Sequence, residues 1–269
     1  MVFKVLCISD SRGRGLEDYF HNYLAASNPS SSITANFLLI PGGTIEAVAS
    51  QTFQNCDEQN YDLIIINAGI CNFTAKSHFK GFKCINYSDR TGKIEQVART
   101  IEELDTAFGH RVNICTIPPA SLNKSFTHKY PNVPVPQELE SQQESLLHDI
   151  GEINRQLIQR NFYNGASSID LAKQVFSSSL KRKRGGLRKV KFNDKNLPDG
   201  VHPSENLRNT WFKLISNFII TTYQSTAEEI ARNTSDDTES DTALHPQLDT
   251  STEESEVDSG NFKRAKKQR

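Results

Sequence analysis

The feature that most constrains the fold is a rhythm. Across the first 223 residues, short runs of β-branched and aliphatic residues alternate with longer segments of helical periodicity. βαβ units produce this alternation: a parallel strand covered on both faces is apolar at nearly every position, while the helix crossing over it is apolar along one stripe. Five strands are expected, at Val2 to Ile8, Asn36 to Ile40, Leu63 to Asn67, Val112 to Ile117 and Ser167 to Leu171. Helices fit between them at Leu16 to Ala26, Ile45 to Phe53, Lys93 to Phe108 and Gln137 to Phe162. A last helix, Ser204 to Tyr223, carries Leu207, Trp211, Leu214, Ile215 and Phe218 at helical spacing, which makes Trp211 a core residue. The reading is an α/β domain built on a parallel sheet.

Two stretches fall outside this plan. Pro118 to Pro136 reads as a long loop on the active face of the sheet. The second, Lys181 to Lys191, packs seven bases into eleven positions with no acid, and the insertion extends to Lys195. Such a segment suits a polyanion or an import receptor, or lies solvated.

Charge divides the chain further. Residues 224–269 hold 11 acids and 6 bases; removing these from totals of 32 and 31 leaves 21 acids and 25 bases in residues 1–223. That C-terminal stretch is Ser, Thr, Asp and Glu with few large apolar residues, and is expected to be a disordered tail closing in the basic cluster Lys263 to Arg269. No apolar run approaches the roughly 20 residues of a membrane span, and Met1 to Ile8 lacks the features of a signal peptide. The five cysteines form no C-x-x-C pair, so neither a disulfide framework nor a thiolate zinc site is indicated. An intracellular location, cytoplasmic or nuclear, is the expectation. His21, His78, His110, His128, His148 and His245 show no metal-ligand spacing, so neither a metal nor a cofactor is expected.

The chemistry is sought where strands end, because open α/β sheets collect ligands at their carboxyl edge. The first strand delivers Ser9-Asp10-Ser11-Arg12-Gly13-Arg14-Gly15. There Ser11 can project its hydroxyl into a cleft beside helical N–H groups suited to an oxyanion. The second strand ends in Pro41-Gly42-Gly43-Thr44, and the third in Ala68-Gly69-Ile70-Cys71-Asn72, where the Asn72 amide could donate into the same cleft. Before the last helix stands Asp199-Gly200-Val201-His202-Pro203. Its spacing allows a carboxylate to hold one imidazole nitrogen while the other takes a proton from a hydroxyl. Arg12 and Arg14 flank Ser11 at a helix N-terminus, where a cation costs about 0.3–1 kcal/mol; an anionic substrate is one reason for them and solvent exposure the other.

Taken together, these four blocks resemble the SGNH (GDSL-type) hydrolases, over nearly all of residues 1–223. The resemblance implies a flavodoxin-like three-layer α/β/α sandwich with a mostly five-stranded parallel sheet, and a serine esterase or acyl hydrolase acting on a small-molecule ester without a cofactor. It implies Ser11 as nucleophile, His202 as general base, Asp199 as its orienting partner and Gly43 as a backbone oxyanion donor. Two positions depart from the family pattern. Ser9 replaces a glycine, and Cys71 occupies the place of the oxyanion-stabilising asparagine, with Asn72 one position later. Losing such a donor costs about 10²–10³ in rate unless Asn72 or a backbone N–H substitutes. The variant blocks and basic insertion are also similar to SGNH-like domains of animal retroelements. That likeness implies a nucleic-acid context, with contacts through Lys181 to Lys195 and the C-terminal basic cluster. The alternative function is a catalytically weak SGNH-fold module that binds nucleic acid or a protein. A nucleotide-binding doubly wound domain fits the sheet but leaves the Asp199–His202 block unexplained.

Overall fold

The computed structural model describes residues 2–27, 32–88, 92–178 and 190–236. Its compact unit Met1–Thr226 is built on four parallel strands: β1 (Phe3–Ser9), β2 (Ile33–Leu39), β3 (Leu63–Asn67) and β6 (Val112–Ile114), in the order β2-β1-β3-β6. The chain steps to one side of β1 to form β2 and to the other to form β3. The carboxyl ends of β1 and β3 therefore bound a topological switch point, where crossovers diverge and leave a crevice.

Two cores lie on opposite faces of the sheet, as period-two alternation requires. Leu6 and Ile8 of β1 and Ile64 and Ile66 of β3 face α2 (Ile45–Glu58), α4 (Lys93–Phe108) and α6 (Gln137–Tyr163), which contribute Val48, Leu104 and Ile153 among others. Val5 and Cys7 of β1 and Leu63 and Ile65 of β3 face α1 (Leu16–Ala26) and α7 (Glu205–Asp236), through Phe20, Trp211, Phe212 and Ile215. This is a mixed α/β fold with helices on both faces of a central parallel sheet, and Trp211 is buried in it as expected.

Several boundaries differ from the expectations. The segment 167–171 does not join the ladder as a fifth strand. It lies beside the edge of β6 through one backbone bond, Thr116 N–H to Ile169 O at 3.1 Å, and through side-chain bonds from Asn113 to Ser167 O and from Thr116 to Asp170. The supposed loop 118–136 contains α5 (Leu122–Lys129), started by the Ser121 hydroxyl, which accepts from Lys124 N–H. Helix α7 runs past Tyr223 to Asp236, so the start of the expected disordered tail is helical. The later tail, its basic cluster and residues 181–189 of the insertion lie outside the described residues. No helix among those described is long and apolar enough to cross a membrane.

Two hairpins went unread in the sequence. The first pairs β4 (Thr74–Phe79) with β5 (Phe82–Tyr87), directly after the short helix α3 (Ile70–Phe73). Its two-residue loop holds Lys80 and Gly81 both at positive φ, the I′ geometry that matches strand twist. The second pairs β7 (Phe176–Ser178) with β8 (Val190–Phe192) across the basic insertion.

A buried cation anchors the base of the first hairpin. Lys93 Nζ donates to Ser88 O at 2.5 Å, lies 3.1 Å from Asp149 Oδ2 and sits 3.4 Å from the Tyr87 ring centroid, while the Tyr87 hydroxyl donates to Asp149. Burial pushes the Asp149 carboxyl up, but hydrogen bonds from Tyr87, Lys93 and His148, with the Lys93 charge, outweigh it and hold the group below the ordinary carboxylate range. A carboxyl depressed on folding contributes stability that is full above its unfolded value and lost as pH falls through its folded one. Asp149→Asn should therefore lower Tm at neutral pH and flatten the acid decline of Tm below about pH 4. Thermal melts of both proteins on an acid series test this; parallel declines would refute it.

Candidate active site

The turn after β1 is organised by a buried ion pair. Asp10 caps a single 3₁₀ turn, Ser11–Gly13, by accepting from Arg12 N–H at 2.9 Å. The Arg12 guanidinium folds back onto the same carboxylate, with Nε 3.2 Å from both oxygens and Nη2 3.0 Å from Oδ2, and its Nη1 donates to Pro118 O at 2.8 Å. Arg12 is 2% exposed and Asp10 1%. This corrects the expectation that Arg12 is free for substrate: its donors are committed inside the protein. Arg14, two residues on, is exposed.

Ser9 occupies the position of the family glycine without backbone strain, since Lys80 is the one non-glycine residue at positive φ among those described. Its hydroxyl donates to Asn67 O and accepts from Asn67 Nδ2, both at 3.1 Å, joining the ends of β1 and β3. The side chain fills the space in front of Gly13, where a Cβ would overlap Ser9 Oγ and Cβ. The two positions are thus exchanged partners: a side chain at 9 demands none at 13. Gly13→Ala should cost about 1–3 kcal/mol as an overpacking change, and under about 1 kcal/mol in a Ser9→Gly background. A denaturant double-mutant cycle measures the coupling, and additive costs would contradict it.

The turn presents Ser11 to the loop before α7. Ser11 Oγ lies 3.2 Å from His202 Nε2, and His202 Nδ1 lies 2.6 Å from Asp199 Oδ2. The other carboxylate oxygen of Asp199 accepts from the backbone N–H groups of Val201 and His202 at 2.9 and 2.7 Å. Burial raises the Asp199 carboxyl, but the bonds from the His202 ring and these two N–H groups, with the His202 charge, prevail and hold it below the ordinary range. Helix α5 fixes the loop: Ser121 N–H donates to Gly200 O at 2.6 Å, and Ser121 Oγ donates to Asp194 at 2.6 Å. Gly200 has φ +82°, and a Cβ there would overlap Ser121 O and Ser125 N, so only glycine brings the loop this close.

The oxyanion side differs from the expectation. Asn72 Oδ1 accepts from Ile45 N–H at 2.9 Å and its Nδ2 donates to both Glu46 oxygens, so this side chain caps α2 and presents no donor to the cleft. Gly43 N–H is likewise committed, donating to Ile40 O at 2.9 Å. That bond closes a turn with Pro41 second and Gly42 third at φ +73°, the type II pattern. Gly42, rather than Gly43, lines the cleft. The Pro41-Gly42 pair was the sequence signal for this, since proline and then glycine at positive φ occupy the turn's central positions. Cys71 also lines the cleft; burial and the nearby Asp10 charge raise its thiol despite Arg12 and Lys76, leaving it a poor nucleophile.

The cleft measures about 1050 Å³. Ser11, Asp199 and His202 line it together with Gly42, Ile70 and Cys71, and its wall comes from the hairpin, through Ala75, Lys76, Lys83 and Ile85, and from α5, through Ser125 and His128. Among the described residues no cluster of three or more His, Cys, Asp or Glu side chains could hold a metal.

Among solved structures, the chain is similar in fold to a lipase/acylhydrolase from Enterococcus faecalis, with TM-score 0.54 and 16% identity over 80% of this chain and 94% of that one. It is also similar to an acetylxylan esterase from Geobacillus stearothermophilus, with TM-score 0.54 and 15% identity over 81% and 94%. These likenesses are of fold: the chain shares with both proteins an α/β architecture with helices on either face of a parallel central sheet. No protein-family profile and no curated protein matches the chain by sequence.

Proposed function

We propose that the protein is an SGNH-type serine esterase or acyl hydrolase. The observation that carries this reading is the continuous relay from Ser11 Oγ through His202 to Asp199 at the mouth of an open cleft. In the reaction, Ser11 Oγ attacks the ester carbonyl carbon as its proton passes to His202 Nε2, and the ionised Asp199 steadies the imidazolium. The N–H groups of Ser11 and Gly42 are the donors for the oxyanion, in place of Gly43 and Asn72. Collapse of the tetrahedral species breaks the ester C–O bond, and His202 returns its proton to the departing alcohol oxygen. Water, deprotonated by His202, then releases the acid from the acyl-Ser11 ester. The esterase architecture of the similar structures supports the same reaction class.

Two backbone donors leave out the third, side-chain donor of the resembled family, and one such donor is worth about 10²–10³ in rate. In the full chain, Ser11→Ala and His202→Ala should each reduce turnover of p-nitrophenyl acetate to the level of buffer. Turnover undiminished in both would overturn the reading. Placing an amide at the family position, Cys71→Asn, should raise kcat by about tenfold or more, because one oxyanion donor is worth about 10²–10³ in rate when ideally placed. A kcat unchanged or lower in that variant counts against Cys71 as the position of the missing donor.

The second reading is a weakly catalytic module that binds nucleic acid through Lys181 to Lys195 and the C-terminal basic cluster. The commitment of Asn72 to α2 favours the weak catalysis of this reading, while its nucleic-acid contact rests on the basic sequence alone. Binding of that kind falls steeply with salt; salt-insensitive binding would remove it.

A further inference from the structure

Past His202 the cleft continues into a second depression of about 310 Å³, lined by Ser11, Arg12, Arg14, His202, Pro203 and Arg208. Its charge is one-sided. The Arg12 guanidinium is neutralised by Asp10, but Arg14 and Arg208 are in no ion pair or side-chain hydrogen bond among the described residues. They approach from different elements: Arg14 ends the nucleophile turn and Arg208 stands in the first turn of α7. A cation in a helix's first turn is opposed by the dipole by about 0.3–1 kcal/mol, so Arg208, which is partly buried, gains nothing from the helix electrostatically. On the other side of the triad, the larger lobe carries Lys76, Lys83 and Lys129. The one carboxylate lining either lobe is Asp199, already held by His202.

We infer that this depression is an oxyanion subsite, in which Arg14 and Arg208 grip a phosphate or carboxylate carried by the substrate beside its scissile ester. The chemistry follows from the guanidinium group, which is always charged and presents a planar fork of donors that matches both anions. Two such forks converging without a partner repel each other until an anion lies between them. Naming an anionic ester as substrate rests on the esterase reading above; the anion subsite itself does not.

The test therefore has two independent arms, both on the full chain. In the first, inorganic phosphate is titrated while the side-chain Nε–Hε signals of Arg14 and Arg208 are followed by NMR. Saturable shifts at both are expected, together with loss of the phosphate response of the His202 ring in Arg14→Ala/Arg208→Ala and its weakening in Arg14→Lys/Arg208→Lys. Unmoved arginine signals would overturn the subsite whatever the enzyme does. In the second, kcat/KM is compared for p-nitrophenyl acetate, p-nitrophenyl hemiglutarate and an acetyl ester of glycerol phosphate. At least one charged ester should be preferred, and the charged-to-neutral ratio should fall about tenfold or more in the double alanine variant, the worth of a hydrogen bond to a charged group. The hemiglutarate and phosphate esters separate the two anions. Turnover with no charged preference overturns the anionic substrate and leaves the esterase; phosphate binding with no turnover leaves the subsite and overturns the esterase.

Discussion

The arrangement rests on one buried ion pair. Asp10 and Arg12 are neighbours within a turn, and they do three things at once: the carboxylate caps the 3₁₀ turn carrying Ser11, the guanidinium neutralises that carboxylate, and its remaining donor holds Pro118 O. Residue 118 follows β6, while the turn follows β1 two strands away, so the pair locks the Ser11 turn to the edge from which α5 departs. Desolvating two charges is costly, and such a pair adds little net stability over an apolar one; breaking it by removing one partner costs about 3–5 kcal/mol, because the other is left buried and uncompensated. Its role is therefore positional. Ser11 has a defined direction because its neighbours on both sides, Asp10 and Arg12, are buried and held to each other by the backbone and side-chain bonds of the turn.

From that anchor the site is assembled by mutual exclusion of volume as much as by hydrogen bonds. Ser9 and Gly13 share one space, and Gly200 lets the His202 loop touch the first turn of α5. Helix α5 and the β4–β5 hairpin then supply the wall of the cleft, and the buried Lys93 ties the hairpin to α4 and α6. The cleft is thus fixed to the core by charged groups, while Lys76, Lys83, Lys129, Arg14 and Arg208, which line it, are in no ion pair among the described residues.

Much of this was legible in the residues. The strands of the sheet centre are apolar at nearly every position, and α1 and α4 fall within the expected bounds because their stripes have one period throughout. Ser11, Asp199 and His202 stand in local blocks, a strand-to-helix turn and a three-residue spacing, and the fold brings their side chains into contact. The hairpin was not, since its turn is Lys80-Gly81 rather than an asparagine or aspartate pair, and α5 hid in a stretch rich in proline and serine. Arg12 was misread for a related reason. Residue type gives its charge, but whether that charge faces solvent or Asp10 depends on a backbone reversal within two residues.

By itself the sequence determined the layered architecture and the local blocks that carry Ser11, Asp199 and His202, because periodicity and short-range spacing act through the chain's own geometry. Tertiary structure alone decided which polar groups remain available. Asn72, Gly43 and Arg12 all carry suitable donors, and each is taken by a partner brought in from elsewhere in the fold or in the turn: Ile45 and Glu46, Ile40, and Asp10 with Pro118. The reason is that a donor near the interior must be satisfied, and the nearest acceptor with good geometry takes it whatever its distance along the sequence. What is left facing the cleft is therefore set by competition in three dimensions, and includes the Ser11 hydroxyl, the His202 ring, the Gly42 turn, Lys76, Lys83 and Lys129, and the side chains of Arg14 and Arg208.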